Sequence, residues 1–342
     1  MTAALHHPHE TPPEPGEFID VAPGIRWIRM PLPFALDHIN LWLIEDGAGW
    51  AIVDTGYGVE ATWELWEKHF AGTMDGRPVT RIIVTHYHPD HVGSAGWLQE
   101  RTGAPVWMTE AEFLSAHAVR EGNAGWTRET GNALFKSHGL DIQRLDAQAA
   151  RGNAYRRGVP TLPPTYRRLL DGDVLSIGGH GWRVATTYGH APEHATLYCA
   201  DLGVLISGDQ ILPRITTNVG VHGNQPEGDP LRLFLDSFDK FRSLPAATLV
   251  LPSHDRVFRG LHERIAQLRA HHDARLDEVF AACAEPRTAT EILPVLFRRA
   301  LDDHQLMFAM GEAIAHLNYL FHAGRLQRTS DTEGVLRFVQ KP

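Results

Sequence analysis

An α/β architecture followed by a helical appendage is what the sequence predicts, on three observations. Strand-length apolar runs alternate with helix-length amphipathic segments from residue 18 to about residue 260. Such alternation points to sheets covered by helices. Beyond residue 260 the pattern changes to three helical segments and a closing hairpin. Several of the apolar runs also end in a small-residue turn followed at once by His or Asp.

The elements follow in order. Residues 1–16 carry Pro8, Pro12, Pro13, Pro15 and Gly16 and are expected to form a disordered tail. Runs 25–30, 40–45 and 50–53 read as successive antiparallel strands, the last closing in the turn Asp54-Thr55-Gly56. Residues 60–70 have helical spacing, and 81–85 form a buried strand leading directly into 86–91. A helix over 92–102, a short strand over 104–108 and a helix over 110–120 come next. Residues 121–168 contain many glycines and read as an irregular insertion or lid, with Arg151, Arg156, Arg157, Arg167 and Arg168 in its last part. Strands resume at 174–177, 182–187, 195–199 and 204–207, followed by a helix over 231–243 and a strand over 248–251. Then come a long amphipathic helix over 261–284 and a capping box, Thr288-Ala289-Thr290-Glu291, opening a helix to 299. A helix over 305–322 stops at Gly324, and strands 325–328 and 335–339 make the hairpin. Three helices and a hairpin outline a winged helix, so the expected division is 1–16, 17–260 and 261–342.

Composition bounds the function. With 43% apolar and 21% charged residues in 342, the chain is an ordinary globular protein. Cys199 and Cys283 cannot build a disulfide framework or a thiolate zinc ribbon. Histidine is abundant, at 21 residues, and imidazole is the commonest metal ligand. The net charge of −9 argues against a dedicated nucleic-acid binder. No apolar run approaches membrane-spanning length, and the first 20 residues hold no apolar signal core, so a cytoplasmic protein without membrane contact is expected.

One segment concentrates the chemistry. His86-Tyr87-His88-Pro89-Asp90-His91 offers three imidazoles and a carboxylate directly after a buried strand. Such donors suit zinc, and also iron or manganese. His190, Asp209 and His254 each stand at the end of a further apolar run.

This set of motifs resembles the metallo-β-lactamase superfamily, over about residues 18–260: Asp54-Thr55-Gly56, the HxHxDH segment, His190, Gly208-Asp209 and His254 in order. The C-terminal region is similar to the winged-helix appendage of the branch that includes the β-lactamase-like protein 2 enzymes. The resemblance implies a four-layer αββα sandwich with two divalent metal ions at one edge, zinc first, iron or manganese as alternatives. It implies that His86, His88 and His190 hold one metal, Asp90, His91 and His254 the other, with Asp209 bridging and Asp54 orienting a ligand. It further implies a metal-bridging hydroxide as nucleophile, with Asp90 steering a proton to the leaving group.

Where members of the family have a glycine turn after the fourth motif, this chain has Glu193-His194. His194 is therefore open as a spare ligand, acid or oxyanion donor, or as a surface residue; Tyr57, Tyr87 and His222 are further oxyanion candidates. The expected catalytic set is Asp90, His194 and Tyr87. The expected substrate is a small ester, thioester or lactone, with the arginines of the insertion pointing to an anionic or CoA-linked molecule, or to a glyoxalase II-like one. A nuclease ranks below it, because residues 262–342 carry ten Lys and Arg against eleven Asp and Glu. The appendage is expected instead to wall the site or to make a homodimer. A mono-iron, persulfide-dioxygenase-like enzyme is the third reading.

Overall fold

In the computed structural model, which describes residues 5–141 and 153–341, the alternating runs resolve into two large sheets and a hairpin. The first sheet runs β1 (Ile19–Ala22), β2 (Ile25–Pro31), β3 (His38–Asp46), β4 (Gly49–Val53), β5 (Val79–Ile83), β6 (Val106–Met108) and β7 (Arg167–Arg168), in that spatial order. It is antiparallel from β1 to β4 and parallel from β4 to β7. The second holds β8 (Val174–Ile177), β9 (His180–Thr187), β10 (His194–Cys199), β11 (Val204–Gly208) and β12 (Leu249–Pro252). It is antiparallel except that β11 and β12 run parallel.

Apolar residues alternate to opposite faces of these strands, and that sets the layers. Trp27 and Trp42, paired across β2 and β3, stack at 6.1 Å and pack with Trp182, Val184, Leu197 and Leu251 of the second sheet, so the two sheets bury these faces against each other. The other face of the first sheet is covered by α1 (Glu60–Ala71), α2 (Pro89–Val92), α3 (Ala95–Thr102) and α4 (Glu110–Glu121) through Trp66, Val92, Leu98 and Ala116. Two helices of the insertion follow, α5 (Arg128–Ser137) and α6 (Ala154–Gly158). The outer face of the second sheet presents Leu205 and Val250 to α7 (Pro230–Ser237) and the C-terminal helices α8 (Leu261–Ala282), α9 (Ala289–Leu296) and α10 (Asp303–His322). The expected αββα layering is thus the observed one. The C-terminal helices, followed by β13 (Leu326–Ser330) and β14 (Leu336–Gln340), share one apolar cluster with that sheet.

Three expectations are corrected. Residues 5–16 are not a loose tail: His6 pairs with Arg259, His7 Nδ1 meets the Val257 carbonyl at 3.0 Å, and Leu5 packs on the core. The helix expected over 92–102 is broken at Gly93-Ser94, because the Ser94 N–H donates to the Gly56 carbonyl and to Thr55 Oγ1, each at 3.1 Å. The insertion is more regular than its glycines suggest, since it contains α5 and α6, while Arg151 lies outside the described residues. No helix among the described residues is long and apolar enough to cross a membrane.

Candidate metal centre

Strand direction explains why donors far apart in sequence meet. β9 and β11 both run antiparallel to β10, hence parallel to each other and to β12. Their carboxyl ends lie at one edge of the second sheet, and the residues just beyond are His190, Asp209 and His254. β4 and β5 run parallel in the first sheet and deliver Asp54 and the His86–His91 segment. The sheets are joined at this edge by Ala195 N–H to the Thr85 carbonyl, 2.9 Å, and by Asn40 N–H to the Ser253 carbonyl, 2.7 Å.

Two donor groups result: His86, His88, His190 and Asp209, and beside them Asp90, His91 and His254, the donor atoms of each group lying within 4.8 Å of one another. His86 Nε2 is 2.9 Å from His88 Nδ1 and 3.2 Å from His190 Nε2. Asp209 faces both groups. Its Oδ2 is 3.4 Å from His190 Nε2, and its Oδ1 is 3.6 Å from His91 Nε2 and 3.5 Å from His254 Nε2. Asp90 Oδ2 lies 3.4 Å from His254 Nε2 and 3.6 Å from His91 Nε2.

These residues fit divalent cations. His91 Nε2 and Asp209 Oδ1 are buried with no hydrogen-bond partner, which protein interiors rarely tolerate. Burial, reinforced by the neighbouring imidazoles, holds His86 well below its ordinary pKa, so its ring nitrogen is free to donate its lone pair. Burial also disfavours charge on His91, but Asp54, Asp90 and Asp209 outweigh it and raise that group. Nitrogen and carboxylate oxygen at this spacing is the donor set that suits zinc, iron or manganese.

The rings are aimed by hydrogen bonds from their far side. His91 Nδ1 donates to Asp54 Oδ2 at 2.8 Å, His190 Nδ1 to the Asn218 carbonyl at 2.8 Å, and His254 Nδ1 to the His38 carbonyl at 2.8 Å. Asp54 also accepts the Thr85 N–H, and Thr55 Oγ1 donates to the His91 carbonyl at 2.6 Å. The Asp54-Thr55-Gly56 turn therefore grips His91 at both ring and backbone.

His194 is neither at the surface nor free to act on a substrate. It is fully buried, and its Nε2 accepts the Asp209 N–H at 3.1 Å, so it positions the backbone of the carboxylate facing both groups. Gly208, at φ 54°, lies so close that any Cβ there would strike the His194 ring. Tyr87 is 4% exposed, and its ring forms a wall beside His88. Tyr57 packs edge-on to Phe34 at 5.3 Å, and His222 sits 5.0 Å from Trp126 at the rim of a cavity. That cavity, about 240 Å³, opens beside His190. The arginines of the insertion are largely committed elsewhere: Arg156 pairs with Glu121 at 2.6 Å, Arg168 with Glu110 at 2.5 Å, and Arg167 lies over Trp107. A third donor group, His180, Cys199 and Asp201, lies at the end of β10 away from His194 and belongs to no part of this centre.

Sequence reasoning missed Glu112. Its carboxylate is fully buried and accepts the Tyr87 N–H at 2.9 Å and the Glu193 N–H at 2.6 Å. It thereby ties the HxHxDH loop to the loop carrying His190, and burial raises it to about 8 against the pull of both N–H groups. A glutamate in the first turn of a helix reads as ordinary dipole compensation, so no local signal marks it. Glu112→Ala is expected to destabilise the fold by about 1–3 kcal/mol for each N–H left unpaired and to weaken metal retention. Chemical denaturation and metal titration check this; an unchanged midpoint and affinity would show that the two loops do not depend on the carboxylate.

Comparisons with known proteins agree with this geometry. Residues 35–254 match the family model described as "Metallo-beta-lactamase superfamily", and residues 276–341 match "Metallo-beta-lactamase-like, C-terminal domain". A beta-lactamase domain protein from Burkholderia ambifaria superposes with a TM-score of 0.93 at 48% identity, covering 98% of each chain. A metallo-beta-lactamase family protein from Thermus thermophilus gives 0.79 at 31% identity, covering 94% of this chain and all of that one. Among curated sequences, a hydroxyacylglutathione hydrolase from Albidiferax ferrireducens is 26% identical over 238 residues, 68% of each chain. Several other curated relatives are matched over only 44–63% of their own length.

Proposed function

The chain belongs to the metallo-beta-lactamase superfamily of metal-dependent hydrolases, and from that premise we propose that it is a two-metal hydrolase of small acyl thioesters or esters. The observation that supports this most is Asp209, a single carboxylate with one oxygen toward His190 and the other toward His91 and His254. A protein built for one metal would not need Asp90, His91 and His254 gathered as a second donor group. The thioester class is supported by relatives named hydroxyacylglutathione hydrolase and atrochrysone carboxyl ACP thioesterase.

His86, His88 and His190 would hold one cation and Asp90, His91 and His254 the other, with Asp209 shared. Two such cations, when bound, supply an activated water near neutral pH and polarise the scissile carbonyl. The chain's own contribution is placement. Asp54, Asn218 and His38 fix the ring orientations, His194 fixes Asp209, and the wall of Tyr87 keeps bulk water from the His88 side. Asp90, 18% exposed at its side chain, is the least enclosed of the carboxylates here and is placed to pass a proton toward a departing thiol or alcohol. Residues 17–260 form the catalytic unit in this reading, and the winged-helix-like residues 261–342 wall one side of it. Cofactor identity within zinc, iron and manganese follows from metal analysis of the protein as purified.

The test is removal and return of metal. Prolonged chelation should abolish hydrolysis of a chromogenic acyl thioester, and Zn²⁺ or Mn²⁺ should restore it, with two ions bound per chain. Hydrolysis that persists in metal-free protein would sink the reading, and one iron per chain would favour the mono-iron alternative.

A further inference from the structure

The cavity beside His190 has a composition that the motifs do not reveal. Its walls include Tyr87, Trp126, Tyr188, Val221, His222 and Leu233, and among its described lining residues there is no Lys or Arg. The one carboxylate there, Asp229, is taken up by Arg232 at 3.1 Å and by capping α7. Tyr87, Trp126 and His222 form a continuous aromatic wall, with ring centroids 5.6 Å and 5.0 Å apart. Leu233 also lines the cavity and is 37% exposed. Asn224 and Gln225 also line it, and a concave wall with an aromatic face and a few polar side chains recognises apolar ligand groups and orients them.

Two of the loops that line this cavity touch each other. Trp126 comes from the 121–168 insertion and His222 from the segment after Asp209, and a Cβ on Gly125 would press on Asn224 at 2.8 Å, so the two loops are in direct contact. His190 is both a lining residue and a member of the first donor group. A group in the cavity is therefore next to the reacting centre.

We propose that this cavity is the acyl subsite and that it selects an uncharged, apolar or aromatic acyl chain of about hexanoyl or phenylacetyl size. The inference rests on the hydrolase reading above. Among the described residues no Lys or Arg lines the cavity, so they offer no partner to an acyl chain that ends in a carboxylate, and an unpaired charge in such walls is costly. A volume of about 240 Å³ takes a five-carbon tail with room to spare. The anionic part of a substrate, if it has one, belongs outside this cavity.

Binding of hydroxamates to the zinc-loaded protein, followed by calorimetry, tests the subsite without requiring turnover. Each buried methylene contributes about a fourfold gain, so hexanohydroxamate should bind on the order of 30-fold or more tighter than acetohydroxamate, part of the tail remaining in water. The monohydroxamate of glutaric acid should bind no better than acetohydroxamate. Trp126→Ala should flatten the gradient and Trp126→Phe should keep most of it. Leu233→Arg, at an exposed position where folding is not at stake, should raise affinity for the glutaric probe. Equal binding of the hexanoyl and acetyl probes, or preference for the glutaric one in the native protein, would overturn the proposal. If the ranking holds but no ester or thioester is turned over, the subsite stands and the hydrolase reading falls.

Discussion

Replacing Asp209 by alanine is expected to take metal from both donor groups at once. Every other donor serves one group, so its loss leaves the neighbouring one whole. Asp209 sends Oδ2 to within 3.4 Å of His190 Nε2 and Oδ1 to within 3.5 Å of His254 Nε2. Its removal takes an oxygen from each side and a negative charge from among imidazoles. The expected loss of hydrolysis exceeds the roughly 10–100-fold that follows removal of an outer hydrogen-bond partner, and metal content should fall from two ions per chain to less than one. The fold should survive, because the Asp209 backbone keeps its bonds to His194 and Thr217. Asp209→Asn separates charge from shape: it retains one acceptor oxygen and should keep one ion weakly. Elemental analysis of either variant with both ions still bound would refute the shared role of this carboxylate.

What the sequence made legible were features encoded locally. The HxHxDH segment follows a buried strand within a few residues, and Gly208-Asp209 records a close approach that only glycine permits. The succession of strands and helices was legible in the alternating runs because sheet faces and helix stripes repeat with fixed periods, whereas the αββα layering was implied only by the resemblance of the motifs to the superfamily. The misread features depend on contacts remote in sequence. Residues 5–16 look disordered by composition, yet the chain 250 residues away, at Val257, supplies the partner of His7. The break at Gly93-Ser94 arises because Thr55 and Gly56 compete for the Ser94 N–H. Glu112 joins two loops 25 and 81 residues away, which no spacing rule can express. His194 looked like a substituted turn residue; its role became visible only when β10 and β11 brought its ring beneath Asp209. The arginines suggested an anion site until Glu110 and Glu121 were found beside two of them.

Asp54 carries the second large expectation. Its carboxylate is 1% exposed and accepts the Thr85 N–H at 2.8 Å, the Thr85 hydroxyl at 2.9 Å and His91 Nδ1–H at 2.8 Å. Alanine would leave these buried donors unpaired, at about 1–3 kcal/mol each. Asp54 also sits at φ 61°, where a residue without a short polar side chain meets a further cost of about 1–2 kcal/mol. Asp54→Ala should therefore threaten folding itself. Asp54→Asn is the discriminating change. Asparagine tolerates the left-handed backbone and can still accept from Thr85, but it turns an N–H toward one of the former donors and no longer balances a cationic neighbour. If Asp54 only shaped the turn, the asparagine variant would match the native protein. Because the carboxylate orients His91, the expected result is a modest loss of thermal stability with a roughly 10–100-fold loss in metal affinity. That loss should show first in the group containing Asp90, His91 and His254, read by titrating metal into the stripped protein, and equal affinity at both groups would reduce Asp54 to a turn residue.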